Sequence, residues 1–205
     1  MRIHWLLLLA PGLFAADAGL SGPIAGYLAD PTRPILRAIS GVPGAYLLGD
    51  PIALPAGLTR LHLAPGKDFA LAESGDAPPA VLFLAAGAVD RLIPLSGVMP
   101  SAEWVAFSTG AASAVLFSSA AGRLQVVTGL PDSPQVAFDL DASTLPEQPL
   151  SAAVSDDAKL VVMSSANSVY RLSAGGAPQL LLSAGRIASV AVLPNGEVAV
   201  SETST

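Results

Sequence analysis

The 205-residue chain contains no cysteine. That excludes a disulfide framework and thiol chemistry. Charged residues make up only 13% of it, and Lys67 and Lys159 are the only lysines. With a net charge of −6 and no basic stripe, nucleic acid and anionic membrane surfaces are poor partners. Histidine is nearly absent: the two are His4 and His62. This removes His-pair zinc motifs and most metalloprotease patterns. No G-x-S-x-G elbow, Walker loop or dinucleotide glycine pattern occurs, so a Ser/His/Asp site lacks its usual nucleophile context. Outside the N-terminus, the longest apolar stretch runs from Ala80 to Val89. It is half the roughly 20 residues that a membrane-spanning helix needs and reads as a buried strand.

What is abundant points one way. The chain is 52% hydrophobic, with 19 glycines and 18 prolines. It can bury a large core, built from many short elements divided by turns. The N-terminus stands apart. Arg2, an apolar stretch from Ile3 to Phe14, and Ala16-Asp17-Ala18 have the order of a secretory signal peptide cut after Ala18. Pro11 and Gly12 interrupt the stretch. The expectation is an exported chain, periplasmic or extracellular, with no membrane span once residues 1–18 are removed. Cleavage takes away Arg2 and Asp17 and leaves the net charge unchanged.

Four segments can be superimposed: Leu58–Ser74, Ala102–Ser119, Leu150–Ser165 and Ile187–Glu202. Each has a short alternating run, a turn, and then a nearly continuous apolar run. With Ala64, Ser108, Ser155 and Leu193 taken as equivalent, the spacings are 44, 47 and 38 residues. Periods of about 40–50 built from short strands mark propeller blades. Asn195-Gly196 reads as a hairpin of type I′, with Pro65-Gly66 and Asp156-Asp157 in the same slot. The second run suits a strand covered on both faces. Two more strands follow in each unit, such as "SVYRLS" and "QLLLS" after Leu150–Ser165. A unit therefore has four strands, a to d, and is repeated because one sheet cannot bury both its faces alone.

The expected fold is all-β: a propeller of four-stranded antiparallel blades, three whole and one partial at each end. The units are about 58–101, 102–149 and 150–186, with 187–205 partial and 24–57 a partial N-terminal blade. Ile24–Gly41 reads as strands c and d. Two closures are open: a fragment of a larger propeller, or a four-bladed ring in which the terminal a–b and the initial c–d share a blade.

The runs "SVAVLPNGEVAVSE" and "AVSDDAKLVVMSSANSVYRLS" resemble the YVTN and NHL-type (WD40-like) β-propeller repeats of exported bacterial proteins. The likeness covers roughly residues 24–205, although the turn departs from the V-x-V-S-P-D-G pattern in three units and the YVTN tetrapeptide is absent. It implies a binding or scaffolding module. It also implies that ligands sit where the loops entering strand a and the b-to-c turns converge on the axis. Those places hold Arg60, Trp104, Ser151 and Ser189, and Glu73, Ser119, Ser165 and Glu202. Trp104 is the only tryptophan after Ala18; with Arg60 it could supply an amphipathic anchor and an anion contact.

The function expected is binding without catalysis, of an unknown protein, peptide or small molecule, with no cofactor, metal or catalytic residue assigned. The alternative is a propeller hydrolase or lyase with an axial metal held by carboxylates, for which Glu73 and Glu202 are the only support. His62, between Leu61 and Leu63, reads as a strand histidine. Asp139 and Asp141 read as solvated carboxylates at a strand edge, since the offsets of a calcium loop are missing. Asp156-Asp157 reads as turn chemistry.

Overall fold

The computed structural model describes residues 22–66 and 68–203. Residues 1–18, read above as a signal peptide, lie outside them. Among the described residues, seventeen strands form five antiparallel sheets, each made from consecutive strands. Sheet I holds β1 (Ile24–Ala29), β2 (Leu36–Val42) and β3 (Ala45–Pro51). Sheet II holds β4 (Arg60–Leu63), β5 (Phe69–Ser74), β6 (Ala77–Ala85) and β7 (Ala88–Pro94). Sheet III holds β8 (Trp104–Phe107), β9 (Ser113–Ser118), β10 (Arg123–Thr128) and β11 (Gln135–Asp141). Sheet IV holds β12 (Ser151–Val154), β13 (Val161–Ser164), β14 (Ser168–Leu172) and β15 (Gln179–Ser183). Sheet V holds β16 (Ile187–Val192) and β17 (Val198–Glu202).

Three four-stranded sheets are thus flanked by a three-stranded and a two-stranded one. Within each whole sheet the four strands follow the order a, b, c, d as a meander. The four anchors are equivalent in hydrogen bonding as well as in sequence. Ala64, Ser108, Ser155 and Leu193 each donate their N–H across the a–b turn, to the carbonyls of Phe69, Ser113, Leu160 and Glu197 at 3.1, 2.9, 2.9 and 2.8 Å.

Two expectations need correction. Ile24–Gly41 was read as strands c and d, but sheet I has a third strand, β3, reached by a tight turn at Pro43-Gly44. Gly41 permits that turn: its φ is +125°, and a Cβ there would lie 2.1 Å from the Ala45 carbonyl oxygen. The exposed outer strand β3 takes place d, so β1 and β2 take b and c. A shared-blade ring would therefore join three strands to two instead of two to two. The second correction concerns Asn195-Gly196. Gly196 has a φ of +83°, but Asn195 stays at negative φ. Gly196 N–H returns to the Leu193 carbonyl at 2.9 Å. This is a type I turn with a left-handed glycine after it, not type I′.

The sheets stack in chain order, as propeller blades do, and the core lies in the joints between them. Alternation along β9 shows why strand b is apolar throughout. Ala114 and Leu116 pack toward sheet II, against Leu71 and Val81, whereas Val115 and Phe117 pack toward sheet IV, against Val161 and Met163. Leu36, Leu61 and Leu82 close the joint between I and II, and Val162, Val169 and Val190 the joint between IV and V. Burial falls off outward: β9 is buried at all six residues, while β15 is exposed at all five.

Candidate functional site

In an antiparallel meander, the start of strand a and the end of strand b lie at one end of the sheet, and the a–b turn lies at the other. The eight residues that the sequence singles out belong to the first end. Arg60, Trp104, Ser151 and Ser189 share one register place, facing Glu73, Phe117, Ser164 and Ser201. Ser119, Ser165 and Glu202 do not share Glu73's place. Ser119 lies two residues beyond Phe117, Ser165 one beyond Ser164, and Glu202 faces Ile187.

The structure draws Arg60 and Glu73 into the joint between sheets II and III, whereas Trp104 faces sheet IV and Ser119 is exposed and bonds within sheet III. Glu73 is buried, 4% exposed. Its Oε1 accepts from Ala102 N–H at 3.1 Å and lies 3.2 Å from His62 Nε2. Arg60 donates through Nη1 to the Ala102 carbonyl. Ser119 donates to Glu103 Oε2 at 2.6 Å. Trp104 stacks on Phe117, with ring centroids 5.3 Å apart and planes 29° apart. Arg60 and Glu73 tie sheet II to the segment leading into sheet III: a buried carboxylate needs partners, and Ala102 and His62 supply them. At the same joint, buried Gln125 accepts from Met99 N–H at 2.7 Å, and within sheet III it donates to Asp139 Oδ2 at 2.7 Å.

Ser151, Ser165, Ser189 and Glu202 do not join that group. Ser151 Oγ pairs with Ser164 Oγ at 2.7 Å, and Ser189 Oγ with Ser201 Oγ at 2.8 Å. Ser165 Oγ closes its own b–c turn by accepting from Ser168 N–H at 3.1 Å. Glu202 is exposed at the end of β17. Among the described residues, no three His, Asp or Glu side chains stand close enough to hold a metal ion. No helix there is long and apolar enough to cross a membrane.

Both carboxylates read as solvated have partners. Arg123 and Gln125 donate to Asp139. Asp141 accepts from Ser143 N–H at 2.8 Å, capping a short turn. Hydrogen bonding from Ser143 lowers the Asp141 pKa, and the Asp139 partnership raises that of Arg123.

The a–b turns gather at the opposite end. A cavity of about 360 Å³ is walled by turns of three successive sheets, through Thr109, Asp156, Asp157, Leu193 and Asn195. Two bonds fix its walls across sheets. Asp156 Oδ1 accepts from Gly110 N–H at 2.8 Å, and Thr109 Oγ1 donates to the Val192 carbonyl at 3.2 Å. Gly110 must be glycine for this approach, because a Cβ there would sit 2.5 Å from Asp156 Oδ2. The Asp156-Asp157 dipeptide divides its work. Asp157 makes the turn, accepting from Ser155 Oγ at 2.7 Å and Lys159 N–H at 3.1 Å. Those hydrogen bonds, Ser155's foremost, lower its pKa to about 2. Asp156 instead reaches the neighbouring sheet. Sequence spacing put both in the turn and carried no sign of that reach.

No protein-family model matches the chain. No curated protein matches it either. Solved structures do. A crystal structure of a functionally unknown protein from Desulfotomaculum acetoxidans DSM 771 matches 86% of this chain with a TM-score of 0.54 and 14% identity. The β-propeller domain of Cps50 (Swd1) from Myceliophteria thermophila matches 88% with a TM-score of 0.53 and 10% identity. The chain spans 58% of the first structure and 67% of the second. At such identities the likeness is one of fold: the sheets are arranged as blades of a β-propeller.

Proposed function

We propose that this chain is a binding module, part of an exported β-propeller of the YVTN/NHL kind, which recognises a protein or peptide without turnover. The observation that carries the reading is the cavity walled by the a–b turns of sheets III, IV and V. It exists only where three blades are stacked, and its rim offers Asp156, Asp157 and Asn195 beside exposed Leu193. Two carboxylates and an amide beside an apolar side chain suit a polypeptide segment with donor groups.

A photo-crosslinking side chain placed at Asn195 should give a discrete adduct with a native partner, whereas the same probe at Ser189 should not. Equal labelling at both positions, or none at Asn195, would remove the reading. Export has its own check. Protein recovered outside the cytoplasm should begin at Gly19; a chain retained inside with Met1 in place would contradict it.

A further inference from the structure

The chain has two asparagines, Asn167 and Asn195, and only the second is followed by glycine. Asn195 lies in the a–b turn of sheet V, whose plan recurs in sheets III and IV. Three residues past the anchors Ser108, Ser155 and Leu193 stand Ala111, Ala158 and Gly196. All are left-handed, with φ of +58°, +58° and +83°. Each returns its N–H to the anchor carbonyl, at 2.9, 3.0 and 2.9 Å. Between anchor and return lie Thr109-Gly110, Asp156-Asp157 and Pro194-Asn195. Of the three turns, only that of sheet V sets a carboxamide directly before a residue without a Cβ.

Two features of this turn bear on the chemistry of the pair. Asn195 and Gly196 are exposed, and a glycine leaves its own nitrogen open to approach. That exposure belongs to the place in the repeat. Gly66, Thr109 and Asp157, in the a–b turns of sheets II, III and IV, are exposed as well, with a further sheet after each. The second feature is polarisation. Glu197 N–H donates to Asn195 Oδ1 at 3.1 Å, so a donor already sits on the oxygen that gains charge when Cγ is attacked. Asn167 differs: the residue after it, Ser168, is buried and gives its N–H to Ser165 Oγ at 3.1 Å.

We propose that Asn195 is a site of covalent self-modification, at which the carboxamide is exchanged for a carboxylate through a cyclic imide. The Gly196 nitrogen attacks Asn195 Cγ. A C–N bond forms, the Cγ–Nδ2 bond breaks, and ammonia leaves with the proton of the Gly196 amide. Water then opens the imide. Addition at Cγ gives aspartate; addition at the backbone carbonyl carbon gives isoaspartate, whose main chain runs through the former side chain. The bond from Gly196 N–H to the Leu193 carbonyl must open first, so the folded turn reacts more slowly than the free segment. Each event adds one negative charge to the cavity rim that Asp157 shares, and sheet IV already closes its turn with such a carboxylate. The chemistry is local to the turn and does not depend on the cavity's taking a ligand.

The test incubates the purified whole chain at mildly alkaline pH beside a synthetic peptide of residues 187–202, following both by peptide mapping with mass spectrometry. The peptide sets the pace of the unrestrained reaction. In the whole chain Asn195 should convert more slowly, to a mixture of aspartate and isoaspartate, with Asn167 left intact. Gly196→Ala should slow the conversion about tenfold or more, since a Cβ crowds the attacking nitrogen. The fold accepts alanine there, because Ala111 and Ala158 hold the same place. An Asn195 still intact long after the peptide is fully converted would overturn the proposal. So would aspartate without isoaspartate, which means direct hydrolysis by water, equal conversion at Asn167, or an unchanged rate in Gly196→Ala.

Discussion

Strands β9 and β17 occupy the same place in the repeat, and both read as apolar runs. Yet β9 is buried at all six residues, while β17 alternates between half-buried and exposed. Local sequence does not explain the difference, since "AVLF" and "VAV" both serve strand b. What differs is company: β9 has a sheet on each face and a strand on each edge. Burial in this fold is a property of the stack, so the stability of a strand is set largely by its neighbours.

The sharpest test of that comparison is a pair of truncations. Leu116 lies at the centre of the joint between sheets II and III and is 1% exposed. Leu116→Ala should cost about 2–5 kcal/mol, read as a lower urea midpoint. Val200→Ala, facing one neighbour from a half-buried position, should cost about 1 kcal/mol or less. Similar losses at the two sites would mean that the neighbouring sheets matter less than the strand itself.

The carboxylates Glu73 and Glu202 extend the contrast to polar groups. Glu73→Ala strips the acceptor from buried Ala102 N–H and from His62, and should cost about 1–3 kcal/mol. Glu202→Ala, at an exposed strand end, should fall within about 0.5 kcal/mol of the parent. Equal effects would show that the Glu73 contacts do not hold the joint. A smaller effect belongs to the tie between sheets III and IV. Gly110→Ala displaces the Asp156 carboxylate and should cost about 1 kcal/mol, as should Asp156→Ala. Combined, they should cost little more than either alone, because both remove one bond. Additive losses would separate Gly110 from Asp156.

How much of this was legible beforehand follows from which contacts are local. The anchors Ala64, Ser108, Ser155 and Leu193 were readable because each a–b hairpin is a short-range unit, closed by one backbone bond. Four strands to a sheet followed from the same turn spacing. β3 was missed because "AYLLGD" lies outside the four aligned segments, so no repeat marked it as a strand. The candidate ligand residues carried less information. Arg60 and Glu73 were chosen for place and charge, but their partners, the Ala102 amide and carbonyl, lie far along the chain. Which polar groups a joint consumes depends on how two sheets meet, and a repeat pattern is silent on that.

The smallest expected effect compares two equivalent turns. Asp157 Oδ1 accepts from Lys159 N–H at 3.1 Å, and Asn195 Oδ1 accepts from Glu197 N–H at 3.1 Å, each two residues past its anchor. One side chain titrates and the other does not. The Asp157 pKa is lowered from 3.8 to about 2 by hydrogen bonds, first from Ser155 and then from Lys159. A depressed carboxylate pKa adds stability above the unfolded value, and that increment is lost as the pH falls toward the folded value. Asp157→Asn should therefore lower the thermal midpoint slightly near neutral pH, and the deficit should close between pH 3.8 and about 2. Because the side chain is exposed, solvent screening keeps the deficit small. Asn195→Ala should give a deficit with no such acid dependence, since an amide holds that turn. A deficit in Asp157→Asn that persisted unchanged in acid would mean that the charge of Asp157 does no more than the uncharged oxygen of Asn195.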